Sequence, residues 1–176
     1  MTVLRTNRLT LSPLSRRQLQ LYLEDPAVLE KEMGHPVSRE LVTERVRRAI
    51  GMKLTKMTEA PVACHEWFTY WILVITDKPF GAGMAGFKGY PDEIGEVEIG
   101  YGIDPAYQAK GYMTEAVRAM IAWAFREPAC RSVVALGVDK GNIASQKVLA
   151  KAGMTVYEET GEGLNLRISR ADAASG

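Results

Sequence analysis

Apolar side chains recur along this chain with two different periods, and each change of period marks a new element. Arg8 to Pro13 alternates apolar and polar positions as a strand does. Ser15 to Leu23 reads as a short helix ending at Asp25-Pro26, because the residue before a proline disfavours helical backbone. Val42, Val46, Ala49, Ile50, Leu54 and Met57 repeat at helical spacing. With Ser38 as N-cap and Val37 and Val42 as a hydrophobic staple, they predict a helix over about Arg39 to Met57.

Trp67 to Thr76 is rich in aromatic and β-branched residues with apolar side chains on both parities, the pattern of a strand covered on both faces. Asp77, Lys78 and Pro79 read as a turn, after which Phe80 to Lys88 and Glu96 to Asp104 continue an antiparallel meander. Helix and strand then alternate. Met113, Ala116, Val117, Met120, Ile121 and Ala124 form one amphipathic stripe, and Ser132 to Val138 is a buried strand. Asn142 caps a further helix that stops at Gly153, with Lys147 and Lys151 towards its C-terminal end, where the dipole favours cations. Met154 to Thr160 and Gly163 to Ser169 form a closing hairpin. Together these predict a three-layer α/β domain with a mixed sheet, and a frayed tail over 169–176.

Composition narrows the function. With 176 residues, 47% hydrophobic and 24% charged, the chain describes one ordinary globular domain. Its 22 basic and 21 acidic residues leave a net charge of +1, too weak a field to argue for nucleic acid or a membrane surface, so any polyanion must be recognised locally. Only Cys64 and Cys130 are present, the start lacks a secretory apolar segment, and the apolar run Trp71 to Ile75 is far too short to span a bilayer. A reducing cytoplasm is the expected location.

Tyr107 to Ala116, YQAKGYMTEA, joins a strand to the first turn of a helix, where unpaired backbone N–H groups and the positive end of the dipole favour an anion. Gly111 admits a phosphate close to the backbone, and Gln108 and Lys110 add a neutral donor and a positive charge, which suits a pyrophosphate. The loop equally reads as a plain connection, and it matches neither G-x-x-x-x-G-K-[ST] nor G-x-G-x-x-G.

The run from Gly95 to Ala116, GEVEIGYGIDPAYQAKGYMTEA, resembles the acetyl-CoA signature Q/R-x-x-G-x-G/A of the GNAT N-acetyltransferase superfamily. NIASQKVLAKAGM, Asn142 to Met154, is similar to the helix that follows in that family. LRTNRLTLSPL from Leu4 and FGAGMAGF from Phe80 resemble the ribosomal-protein N-terminal acetyltransferase branch. The resemblance implies a single domain over residues 1–168, with a central, mostly antiparallel mixed sheet of about six to seven strands and about four helices. It further implies acetyl-CoA as cosubstrate without a metal, and an amine acceptor that is a protein N-terminus or a small molecule. Met113 departs from the pattern, which ends in Gly or Ala; its place in the apolar stripe directs it into the helix packing.

Carried over residue by residue, the resemblance assigns the backbone of Tyr101 and Ile103 to pantetheine. Gln108, Ala109, Lys110, Gly111, Tyr112, Met113 and Thr114 wrap the pyrophosphate, Asn142 takes the pantetheine arm, Ser145 approaches the thioester sulfur and Lys147 reaches the adenosine end. Asn142 is also a plain N-cap, and Ser145 and Lys147 also read as solvent-facing. The chemistry needs a proton acceptor for the incoming amine, and Glu96 and Glu98, two residues apart on a strand and therefore on one face, are the candidates. Solvent-facing carboxylates are the plain alternative. Where several relatives place a tyrosine as general acid this chain has Leu149, which leaves Ser145, Tyr101 or water to protonate the thiolate.

Other clusters carry less. His35, Cys64 and His65 lack ligand spacing, Arg45, Arg47 and Arg48 read as a solvated helix face, and Glu24, Asp25, Glu30 and Glu32 read as ordinary surface, with the alternative, from the family resemblance, that they border the acceptor site and attract a cationic amine. Two functional classes stay open, an N-acetyltransferase and a non-catalytic acyl-CoA sensor of the same fold; a nucleoside triphosphate in the loop is the third. A monomer and a homodimer paired at a sheet edge near the C-terminus are both compatible.

Overall fold

Ile72 and Leu73 are neighbours on one strand, yet they belong to two different cores. That parity is the plan of the molecule, seen in a computed structural model that describes residues 2–175. Eight strands form one sheet in the order β1-β2-β3-β4-β5-β6-β8-β7. They are β1 (Leu4–Arg5), β2 (Leu9–Pro13), β3 (Trp71–Ile75), β4 (Phe80–Phe87), β5 (Glu96–Ile103), β6 (Ser132–Val138), β7 (Thr155–Thr160) and β8 (Gly163–Ser169). All neighbours pair antiparallel except β5 with β6. The sheet thus has one strand more than the expected range, because Leu4 and Arg5 pair with Leu11 and Thr10.

Helix α5 (Tyr112–Ala124) lays its stripe of Met113, Ala116, Val117, Met120, Ile121 and Ala124 on one face, where α6 (Ile143–Lys151) adds Leu149. Leu11, Leu73, Val97, Ile99 and Val133 meet them from the sheet. The opposite face is covered by α1 (Arg16–Glu24), α2 (Pro26–Met33) and α3 (Glu44–Glu59) through Leu19, Tyr22, Leu29, Ile50 and Met57, against Ile72 and Met84. Two short helices, α4 (His65–Phe68) and α7 (Arg170–Ala174), bring the α-helices among the described residues to seven.

Three expectations need correction. The third helix begins at Glu44, capped by Thr43, not near Arg39, because Ser38 is spent elsewhere. Its hydroxyl donates to the buried Asp104 carboxylate at 2.6 Å, while Val37 bridges Gly81 in place of forming a staple. Trp67 and Phe68 lie in α4, so β3 starts at Trp71; their aromatic character suits the core packing of a helical turn as well as a strand. The tail expected to fray holds α7, whose Ser169 and Asp172 form a capping box.

Candidate functional site

The chemistry-bearing residues gather where β5 and β6 part. Their parallel pairing runs only from Glu96↔Ser132 to Glu98↔Val134, and beyond it the two strands diverge. Lys88 N–H donates to the Glu98 carbonyl and Asp104 N–H to the Ala82 carbonyl, so the even-numbered residues of β5 bond β4. By the alternation of an antiparallel ladder, Tyr101 and Ile103 then turn their own N–H and C=O towards the opening. Two polar backbone units therefore line a cleft between strands.

The floor of the cleft continues into the start of α5. Helices α1, α2, α3, α6 and α7 all begin with a side chain that accepts from their first-turn amides: Ser15, Asp25, Thr43, Asn142 and Ser169. Helix α5 has Gly111 at that position and no side-chain cap. Its first N–H groups, with the positive end of the dipole, are left to the cleft. Ala109 and Gly111 both hold positive φ, 58° and 81°, which coils the loop tightly around this point. An alanine in that conformation costs about 1 kcal/mol, a strain the surrounding contacts must hold. Arg8 does so from the far end of the sequence, donating to the Lys110 carbonyl and the Glu115 carboxylate at 2.8 Å each and stacking on the Tyr112 ring. Although burial opposes it, hydrogen bonds from Thr6 and Arg8 hold the Glu115 carboxyl below the usual carboxylate range.

The resulting groove encloses about 540 Å³. Of the residues singled out from the sequence, Tyr101, Ile103, Gln108, Ala109, Gly111, Tyr112, Met113, Thr114, Asn142, Ser145 and Lys147 line it. Lys110 does not: its ammonium folds back onto the Ala106 carbonyl at 2.8 Å and over the Tyr107 ring. Met113 packs into the core as its stripe position implies, while its edge still touches the groove. Asn142 accepts from Ser145 N–H through Oδ1 at 3.0 Å and is thus an N-cap, while the residue also lines the groove. The sequence reading missed Tyr107, stacked on Phe80, and Lys151, which lies one turn beyond Lys147 and was legible from that spacing.

At the deep end, the Tyr101 hydroxyl and Ser145 Oγ share a hydrogen bond of 2.8 Å. Burial raises the Tyr101 pKa, with the Ser145 bond opposing, so the phenol is neutral and holds its proton. Leu149 is wholly buried and offers no polar atom.

Glu96 and Glu98 stand outside the groove, on the opposite face of β5 from Tyr101. Glu98 pairs with Lys88 at 2.6 Å, and Glu96 meets Arg167 at 3.9 Å and accepts from Ser132. Gly100 and Gly102 share that face, and the space above Gly100 is open to 4 Å. The β5 backbone is therefore approachable from the Glu98 side while the groove lies on the other. Within the acidic cluster, Glu30 pairs with Arg39 and Glu32 with Arg17, and Asp25 caps α2. Among the described residues no His, Cys, Asp and Glu side chains group as metal ligands, and no helix is long and apolar enough to cross a membrane.

A mixed sheet that parts two parallel strands over an uncapped helix start defines the class of the acetyltransferase fold. The chain belongs to the acetyltransferase (GNAT) domain family, whose pattern matches residues 8–155, and it is an acyltransferase. It is 29% identical over 162 residues to the uncharacterized N-acetyltransferase YjdG of Bacillus subtilis (strain 168), covering 92% of this chain and 95% of that one. Its fold is that of the ribosomal-protein-S5-alanine acetyltransferase from Vibrio fischeri, with a TM-score of 0.68 at 17% identity over 98% of both chains. The aminoglycoside acetyltransferase AAC(6')-Ib, solved in complex with coenzyme A, superposes with a TM-score of 0.59 at 16% identity over 95% of this chain and 98% of that one.

Proposed function

We propose that this protein transfers the acetyl group of acetyl-CoA to a primary amine, a protein N-terminus or a small-molecule amine, by direct attack in a ternary complex. The observation that carries the reading is the uncapped start of α5 opening into the cleft between β5 and β6. The donor set fits the cosubstrate: free amides at a dipole's positive end suit a pyrophosphate, and an open strand edge suits the amides of pantetheine. Acetyl-CoA supplies an acetyl group activated as a thioester.

Each remaining task has a residue. The Tyr101 and Ile103 backbone aligns the pantetheine arm, and an N–H on this strand polarises the carbonyl. An amine approaching over Gly100 and Gly102 gives its proton to Glu98, directly or through water, with Glu96 beside it as a second acceptor. Lys88 holds the Glu98 carboxylate in place. On the groove side the neutral Tyr101 hydroxyl, steadied by Ser145, delivers a proton to the departing sulfur. A thiol has a pKa of about 8.5, so this acid has modest work to do and positioning carries much of the rate. This hydroxyl pair favours catalysis over a purely sensing role, since it supplies the acid that Leu149 cannot.

CoA release measured against a panel of amines and N-terminal peptides tests the reading. Amine-dependent release with at least one acceptor is expected. Tight acetyl-CoA binding without release for any acceptor would contradict it.

A further inference from the structure

Three lysine side chains converge on the end of β4. Lys53 lies buried with its ammonium donating to the Phe87 carbonyl at 2.6 Å, and Lys56 donates to the Lys88 carbonyl at 2.8 Å. Both are tied to the main chain. Lys88 is different: its side chain is 63% exposed, and its ammonium meets the Glu98 carboxylate at 2.6 Å, on the face of β5 away from the groove. Lys88 N–H donates to the Glu98 carbonyl, so the two residues stand directly opposite each other, and Gly86 and Gly100 form the next pair on that face. Thr69 and Tyr70 cover Gly86, whereas the space above Gly100 is open to 4 Å. Gly100 is two residues from Glu98, about 7 Å along the strand, and the flexible four-carbon stem of lysine has a comparable reach. By a change of rotamer alone, the Lys88 amine passes from the carboxylate to the space over Gly100.

The proposed function brings the incoming amine into that space, and the inference rests on that reading. An amine joined to the chain need not be captured from solution, and one already bonded to the proton acceptor has the arrangement the reaction requires. We propose that Lys88 is a self-acetylation site: with acetyl-CoA bound and no external acceptor over Gly100, its Nζ takes the acetyl group. Glu98 accepts a proton from the ammonium, and the freed lone pair forms a C–N bond to the thioester carbonyl carbon. The C–S bond breaks with its electron pair going to sulfur, which the Tyr101 hydroxyl protonates, while the nitrogen gives its second proton to water. Once Glu98 has released its proton to water and Tyr101 has regained one, the products are an amide at Lys88, the thiol of coenzyme A and one proton. The amide carries no charge to pair with Glu98 and no lone pair to react again, so each chain is modified once.

Native protein incubated with acetyl-CoA alone, then digested and followed by mass spectrometry, tests this. Acetylation of Lys88 is expected to run about 100-fold faster than that of the exposed Lys31, Lys56 and Lys78, the advantage that a positioned base gives. Its rate is expected to stay the same when the protein is diluted, as a reaction within one chain requires. Glu98→Gln keeps the shape of the side chain and removes the proton acceptor. It is expected to bring Lys88 down to the rate of the other three lysines, with affinity for acetyl-CoA by calorimetry within about twofold of native, which shows that the variant remains folded. Lys88→Arg, which keeps the ion pair with Glu98, is expected to abolish the release of coenzyme A that precedes addition of any acceptor. A Lys88 rate equal to that of the three exposed lysines, a rate that rises with protein concentration, or one that Glu98→Gln leaves unchanged would overturn the inference. Where added amines still drive release of coenzyme A in that case, the proposed function stands without it. Failure of acetyl-CoA to bind would overturn both.

Discussion

Tyr101 presents a phenol kept neutral by burial and joined to Ser145 at 2.8 Å, beside the cleft but within the core-facing parity of β5. If it is the acid that serves the departing sulfur, Tyr101→Phe keeps the packing and removes only the proton. The expected result is a kcat lower by about 10-fold to 100-fold, as general acids contribute, with acetyl-CoA affinity unchanged by calorimetry. A loss of affinity equal to the loss of kcat would make the residue a packing element only. Gly111 and Asn142 were legible in the sequence because they sit at helix starts whose chemistry is local, whereas Tyr101, Ile103, Ser145 and Lys147 came from the family resemblance. The partner of Tyr101 and the Arg8–Glu115 clamp were legible in neither. They join residues 44 and 107 positions apart, and polar contacts at such separation leave no periodic trace.

Elements show the same division between local and long-range causes. Helix α5, β6, α6 and the closing hairpin fall where periodicity and the punctuation at Gly111 and Gly153 predict them. The start of α3 does not, because Ser38 and Thr43 are both good caps and only the fold commits Ser38 to Asp104. That helix also carries a charge the pattern alone disguises. Lys53 lies buried against the sheet, donating to the Phe87 carbonyl at 2.6 Å and standing over the Tyr70 ring. Burial, with lesser contributions from Lys56 and Lys88, lowers its pKa to about 7. Unfolded, it titrates near about 10.4. Between these values the unfolded chain holds a proton that the folded chain lacks, so this group makes stability rise with pH across about 7 to 10, and its cost is greatest below that window. Urea unfolding at about pH 6.5 and about pH 9.5 should show the native protein gaining on the order of 2 kcal/mol relative to Lys53→Met. Parallel pH dependences in the two proteins would contradict the assignment.

At the scale of the molecule, one departure from regular pairing creates the site. The sequence patterns disclose the order of strands and helices along the chain, since each strand's parity is written in its own residues, and the family resemblance implies the mostly antiparallel sheet. They do not disclose that β5 and β6 part after Glu98 and Val134, because apolar parity carries no signal for where a pairing between strands distant in sequence ends. The separation leaves Tyr101 and Ile103 with free backbone, places the uncapped end of α5 beneath them, and keeps Glu98 accessible from the other face. The central claim is that this opening receives acetyl-CoA, and amide hydrogen exchange with and without it is the most direct test. The account predicts slowed exchange at Tyr101 to Ile103, at the first amides of α5 and at Asn142 to Val148, with little change in α1 to α3. Unchanged exchange at the start of α5, or protection confined to the opposite face of the sheet, would contradict it.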